Sequence, residues 1–306
     1  MATFVISTVR CTLSPLSLTQ CSVNDIFRAE TIRTLNRRTV KVMTIIFPAS
    51  INEIIKNKTY RIDSVGMSVS KVLLFENMVL KIQPENEETQ IEHLMMEWLD
   101  GKLPVPKVIC HEIQDGMDYL LMTRICGKMS CADEYLQDAD RLAQILASGL
   151  TKLWSIDISG CPCNMNLDRK LKMAEYNVKN HLVDIDNVDP QTFGENGFKN
   201  PEHLLDYLCT HRPPEDLVLS HGDFCLPNVI LENGQISGFI DLGKTGIADR
   251  WQDIALCYRS FRGNCTGKYH KTSQQFPYHP DLLFEKLGIT PDWDKINYYL
   301  LLDELF

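Results

Sequence analysis

The sequence predicts an α+β protein of two lobes, a small antiparallel β-sheet with one helix followed by a mainly helical half. Three observations predict it. Short β-patterned runs crowd residues 59–122, the composition changes over 123–128, and from residue 132 helical periodicity dominates apart from one hairpin. At 306 residues and 44% hydrophobic content, the chain can bury apolar cores on both sides of a cleft.

Residues 1–42 stand apart from the rest. The first 41 are rich in Ser and Thr and carry Arg10, Arg28, Arg33, Arg37, Arg38 and Lys41 against Asp25 and Glu30, a net +4 that leaves −13 on the remainder. We read this segment as a disordered extension ahead of a second start at Met43, with an organellar transit peptide as the alternative. Residues 43–123 are expected to form an amino-terminal nucleotide-binding lobe. Runs 60–63, 72–75 and 78–82 read as strands, the last two joined at Glu76-Asn77. Residues 87–99 carry Ile91, Leu94, Met95, Trp98 and Leu99 at helical spacing, and Asp100-Gly101 with Pro104 and Pro106 ends the helix. Runs 108–112 and 118–122 supply two more strands. Residues 124–306 are expected to form a carboxyl-terminal catalytic and substrate-binding lobe, with helices over 135–155, 167–182, 201–211 and 249–260.

The formal charge of −9 argues against a nucleic-acid partner and leaves room for a cationic small molecule. No apolar run reaches the roughly 18 residues of a membrane span, so no membrane partner is expected. Eleven cysteines at irregular spacings, without a convincing signal peptide, read as mostly free thiols in a reducing cytoplasm. They lack the paired spacing of a zinc site. No obligate protein partner is evident.

The most informative stretch is LVLSHGDFCLPNVILENGQISGFIDLGKTG, residues 217–246, with His221-Gly222-Asp223, then Asn228, then Asp241-Leu242-Gly243. Phosphoryl transfer passes through a loose transition state, so it needs one carboxylate to orient the attacking hydroxyl and hard oxygen ligands to hold Mg²⁺. A turn at Asn233-Gly234 sets Asn228 opposite Phe239, with Asp241 two residues beyond. That diagonal of about 7–8 Å lets both side chains share one ion. Singly, each residue reads equally as a turn former or a strand end; their order around the hairpin favours the chemical reading. Lys81 and Glu92, eleven residues apart on a candidate strand and helix, fit a phosphate-gripping lysine and its partner. They fit a solvated surface pair too, although Glu92 neighbours the apolar stripe of its helix.

These stretches resemble the aminoglycoside 3′-phosphotransferases, a family with the protein-kinase-like fold. The resemblance runs from about residue 59 to residue 306, most specifically in HGDFCLPN, SGFIDLGKTGIADRWQDIAL, WLDGKLPVPKV and GITPDWDKINYYLLLDELF. It implies ATP and Mg²⁺ as cofactors, Asp223 as the catalytic aspartate, Asn228 and Asp241 as metal ligands, and Lys81–Glu92 as the nucleotide-side ion pair. It also implies a phosphate loop over 65–71 with Ser68, a hinge with Thr123 and Ile125 at the adenine edge, and Val79, on the strand face of Lys81, against the adenine. The ending Asp303, Glu304 and Phe306 matches the family's substrate-binding end, and Lys244 stands where some relatives carry Arg. Gly263 and Asn264 replace acidic residues of some relatives, residues 265–279 form an insertion, and Asp189 or Glu195 is a substitute source of carboxylate. Asp249 and Asp253 are expected to cap their helix and brace the catalytic loop. The implied activity is transfer of the γ-phosphoryl of MgATP to the 3′-hydroxyl of kanamycin- or neomycin-type antibiotics, conferring resistance. The alternatives are a related kinase for choline, a methylated thioribose or a macrolide, and a non-catalytic nucleotide-binding regulator, which would need a broken catalytic set.

Overall fold

The computed structural model describes residues 21–22, 47–62, 70–194, 197–269 and 275–306. The extension expected over 1–42 lies outside the described residues except for β1 (Cys21–Ser22), which pairs antiparallel with β2 (Thr59–Ile62). β2 pairs with β3 (Lys71–Leu74), β3 with β4 (Met78–Pro84), β4 with β6 (Met117–Thr123), and β6 with β5 (Val108–Gln114), all antiparallel. Glu76-Asn77 makes the expected turn, closed by the Phe75 N–H on the Met78 carbonyl at 2.9 Å.

Strand alternation divides β4 between two faces. Leu80 and Ile82 enter an apolar cluster with Leu73, Leu121 and, from α1 (Ala49–Ile55), Ile51 and Ile55. Val79 and Lys81 look the other way. There α2 (Glu87–Leu99) begins at a capping box, in which Asn86 and Thr89 satisfy each other's backbone N–H groups. Its stripe of Ile91, Met95 and Leu99 packs with Leu120 and Met122 of β6 and continues into the larger core of the carboxyl-terminal half. The helix therefore belongs to both halves.

In the carboxyl-terminal half the run expected as one helix over 135–155 is two, α3 (Asp133–Leu136) and α4 (Ala139–Trp154). Asp138 leaves helical geometry between them and accepts the Arg141 N–H, so it caps α4. Next come α5 (Leu167–Lys179), α6 (Pro201–Thr210), β8 (Leu217–Ser220), β9 (Val229–Glu232), β10 (Gln235–Phe239), β11 (Gly246–Asp249), α7 (Arg250–Cys265), α8 (Leu282–Leu287) and α9 (Trp293–Asp303). The expected hairpin, β9–β10, is joined by a third strand, β7 (Lys128–Met129), and β8 pairs separately with β11. α7 continues five residues past the expected end at Ser260, burying Gly263 and Asn264. Among the described residues no helix is long and apolar enough to cross a membrane, and the cysteines from Cys110 to Cys265 are free thiols.

Because Ile55 is fully buried where α1 meets the sheet, Ile55→Ala should cost about 2–5 kcal/mol of stability. Urea denaturation should register this as a lower midpoint.

Candidate active site

The loop after β8 is held from behind by α7. Asp253, wholly buried, accepts the His221 N–H at 2.7 Å and the Gly222 N–H at 2.9 Å. Gln252 Nε2 donates to the Gly222 carbonyl at 2.8 Å, and Thr245 Oγ1 donates to the His221 carbonyl at 2.9 Å. Gly222 has φ +82°, and a Cβ there would stand 1.9 Å from the Lys244 carbonyl oxygen, so only glycine fits. Asp249 caps α7 through the Trp251 N–H and binds Tyr299 and Lys295 of α9. Asp249 thus caps the helix, and Asp253 braces the loop.

His221 orients the second residue after it, Asp223. Its Nε2 faces the Ile240 carbonyl at 3.1 Å and its Nδ1 faces the Asp223 N–H at 3.3 Å, which makes Nε2 the proton-bearing nitrogen. The Asn228 amide donates to both the backbone carbonyl and Oδ2 of Asp223 at 3.0 Å, fixing the carboxylate. The turn at Asn233-Gly234 forms with φ of +52° and +72°. The register departs from expectation. Glu232 faces Gln235 and Leu231 faces Ile236, but Ile230 faces Gly238 and Val229 faces Phe239, so Ser237 is an extra residue in a β-bulge. Asn228 therefore pairs with Ile240, whose N–H reaches the Asn228 carbonyl at 3.0 Å, and Asp241 lies one residue beyond instead of two. A tertiary contact accompanies it: the Phe239 N–H reaches the Pro104 carbonyl at 2.9 Å, and there is no room for a Cβ at Gly238. Asp241 then takes a left-handed φ of +63°, which re-aims its side chain.

Its target is Lys81, whose Nζ lies 2.8 Å from both Glu92 Oε2 and Asp241 Oδ1. Glu92 is 3% exposed and Asp241 52%. Burial works against the Lys81 ammonium, but Glu92 and Asp241 outweigh it and hold the lysine above its usual range. Burial likewise disfavours the Asp241 carboxylate, and Lys81 more than compensates, holding it below the usual range. For Glu92 burial wins and its carboxyl is pushed up. Val79 shares the Lys81 face of β4, as alternation requires. Thr123 commits its N–H and hydroxyl to Lys107, whereas the Ile125 N–H has no partner among the described residues. Ser68 lies outside the described residues.

The remaining expected residues meet on the other side of the loop. Lys244, Asp303 and Phe306 line one cavity with Gly222, Glu88 and Lys170, and the Lys244 ammonium stands 5.7 Å over the Phe306 ring. Burial opposes the Lys244 charge, but Asp303, Glu88 and Asp223 together raise it above its usual range. Asp303 is ion-paired to Arg259, which also approaches Glu304 at 3.9 Å. Glu304 accepts the Asp189 N–H at 3.1 Å. Asp189 thus joins the cluster, while Glu195 lies outside the described residues.

Three further residues matter that local pattern did not mark. Gln252 supports the loop, Arg259 occupies the terminal carboxylates, and Lys170 is 6% exposed beside Lys244. Gln252 and Arg259 sit in a helix flanked by apolar residues on nearly every side, which is the one available signal. Lys170 carries no signal, because a lysine on an amphipathic helix ordinarily reads as surface.

The donor set suits a hard cation. Asn228 Oδ1 and Asp241 Oδ2 accept from no protein donor among the described residues, and Mg²⁺ prefers a few such oxygens completed by phosphates and water.

A sheet lysine paired with a glutamate of the adjoining helix, set against a half carrying Asp223, Asn228 and Asp241, defines a kinase-type phosphotransferase. A sequence profile described as the phosphotransferase enzyme family matches residues 57–277. An aminoglycoside 3′-phosphotransferase of Enterococcus faecalis is 41% identical over 257 residues, covering 80% of this chain and 92% of the relative. One from Staphylococcus aureus is 40% identical over 256 residues, with coverages of 80% and 92%. A crystal structure of a type VIII aminoglycoside-3′-phosphotransferase superposes with a TM-score of 0.67 at 25% identity, covering 81% of this chain and 94% of that one. The chain belongs to the aminoglycoside 3′-phosphotransferase family.

Lys170 has a measurable signature. Burial, and then Lys244, push its ammonium down to about 8. Below pH 8 folding buries a charged lysine at a cost; between pH 8 and the unfolded value of about 10.4 folding releases a proton, so this contribution to stability rises with pH. Lys170→Met should therefore stabilise the protein at pH 7 by up to about 3 kcal/mol. Thermal denaturation from pH 7 to 10 should show the advantage shrinking.

Proposed function

We propose that the protein transfers the γ-phosphoryl of ATP to the 3′-hydroxyl of kanamycin- or neomycin-type aminoglycosides, which inactivates the antibiotic. One observation carries this reading above all. Lys81, Glu92 and Asp241 form one ion-paired group, and the hairpin that delivers Asp241 also delivers Asn228 to Asp223. The names of the Enterococcus and Staphylococcus relatives support the acceptor class. A structure of a Streptomyces rimosus aminoglycoside phosphotransferase, 25% identical with a TM-score of 0.62, is described as a complex with ADP and streptomycin, which supports the nucleotide.

In this reading residues 43–123 hold the nucleotide and 124–306 the acceptor. The Lys81 ammonium, steadied by Glu92, binds phosphate oxygens, Val79 lies against the adenine, and the unpartnered Ile125 N–H meets its edge. Ser68 in the 65–71 loop contacts the phosphates. Asn228 and Asp241 would hold Mg²⁺, which neutralises phosphate charge when bound. Asp223, oriented by the Asn228 amide, accepts the proton of the attacking hydroxyl, and Lys244 offsets negative charge nearby. The acceptor's ammonium groups take the carboxylates of Asp303 and Glu304 and the terminal carboxylate of Phe306, displacing Arg259 in part.

Asp223→Asn keeps the shape and removes the proton acceptor, so kcat should fall by about 10²- to 10⁴-fold. The check is a coupled ADP-release assay with MgATP against kanamycin, neomycin, choline and a macrolide. Undiminished turnover by the variant would refute the role of Asp223, and no wild-type turnover on kanamycin or neomycin would refute the acceptor class.

Lys81→Met separates the two sides of the cleft. It should raise KM for ATP about tenfold or more and leave aminoglycoside affinity, measured by calorimetry without nucleotide, near wild type.

A further inference from the structure

Beyond the carboxylates at the chain end, the cluster runs outward to a phenol ring. From Glu304 the path continues through the Asp189 N–H at 3.1 Å to the Asp189 carboxylate, which Lys268 approaches at 3.4 Å. The Lys268 ammonium also stands 5.9 Å from the centre of the Tyr269 ring. Tyr269 lies hard against the backbone of Gly263 in α7, where a Cβ would come within 2.2 Å of the ring edge. One side of the ring is therefore fixed on a rigid helix. The side chain is nevertheless 51% exposed. Burial opposes the Arg259 charge, and Asp303, followed by Tyr269 and Glu304, outweighs it, which places the phenol in the electrostatic neighbourhood of the terminal carboxylates.

The geometry points to Tyr269 and Asp189 as an ammonium subsite at the outer end of the acceptor cleft, occupied in the free protein by the chain's own Lys268. The inference deepens the aminoglycoside reading and rests on it. A carboxylate beside an aromatic face is a site for an alkylammonium: the carboxylate supplies charge and direction, and the ring supplies its negative face. Lys268 makes both contacts now. Its ion pair with Asp189 joins two half-exposed side chains, 54% and 47%, so it is weak and open to exchange. An amino group on the acceptor sugar remote from the reacting hydroxyl takes the same two contacts, and Lys268 turns out into solvent. Tyr269 and Asp189 then select acceptors by the presence of a distal amine, and Lys268 sets a threshold by competing for them.

Opposite effects of two substitutions test this. Steady-state kinetics with MgATP should be measured for kanamycin and neomycin on the wild type, Tyr269→Ala, Tyr269→Phe and Lys268→Gln. Tyr269→Ala should raise KM for the aminoglycoside about three- to tenfold, with kcat and KM for ATP unchanged. Tyr269→Phe should retain the wild-type KM because the ring face, not the hydroxyl, makes the contact. Lys268→Gln should lower KM for the aminoglycoside by removing the competitor. An unchanged aminoglycoside KM in Tyr269→Ala overturns the subsite, as does a parallel rise in KM for ATP with loss of kcat and of melting temperature, which marks a packing role. A raised KM in Lys268→Gln overturns the competition. A wild type inactive on both antibiotics sinks the aminoglycoside reading and this inference with it, an outcome distinct from active enzyme with indifferent variants.

Discussion

The Lys81 ammonium is the point through which the two halves of the molecule are tied. It stands on a central strand, one partner stands on the helix behind that strand, and the other follows the hairpin of the opposite half. A buried Glu92 without Lys81 would be an uncompensated charge, and Lys81 without either acid would be a lysine taken out of water for nothing. The arrangement persists because each group makes the burial of the next tolerable. It also means that the β4–α2 pair and the segment after the hairpin cannot be positioned independently.

A second support lies under the turn that carries Asp223. Asp253 and Gln252, adjacent at the start of α7, satisfy both backbone N–H groups and one carbonyl of the His221-Gly222 turn. A loop buried in this way would otherwise leave the His221 N–H and the Gly222 carbonyl unpaired, each costing about 1–3 kcal/mol, while the Gly222 N–H also reaches Ser220 Oγ at 3.1 Å. The helix is in turn anchored through Asp249 to Tyr299 and Lys295, so the carboxyl-terminal helix steadies the loop at one remove. Rigidity of the turn before Asp223 is thus built from buried polar bonds and a glycine that lets two chain segments touch.

Local pattern carried much of this. The bounds of α2 follow from Asn86 at one end and Asp100-Gly101 at the other, both short-range signals that tertiary structure leaves alone. Lys81 with Glu92 was legible as a spacing because a strand and a helix each impose a fixed geometry, and Asn228 with Asp241 because they flank a hairpin, although the bulge moved Asp241 one residue closer. What escaped was decided by distant partners. The bulge at Ser237 is accompanied by a bond to the Pro104 carbonyl more than a hundred residues earlier, and Gly238 inside the strand is its one local sign. The break at Asp138 lies in a run with continuous helical periodicity. α1 is seven residues long, too short for its two buried isoleucines to establish a period. The burial of Lys170 and the pairing of Arg259 with Asp303 likewise arise only when α5, α7 and α9 converge.

The bulge divides the hairpin into two regions of unequal freedom. Residues at its tip can be added or removed in pairs without altering which way the distal aspartate points, because the ladder below stays in step. Between Ser237 and Asp241 the same freedom is absent: one added residue would slip Asn228 off its pairing with Ile240 and turn the carboxylate to the opposite face of the ribbon. For anyone grafting, shortening or diversifying this enzyme, the tip is the place for variation and the few residues after the bulge form a ruler whose length is set.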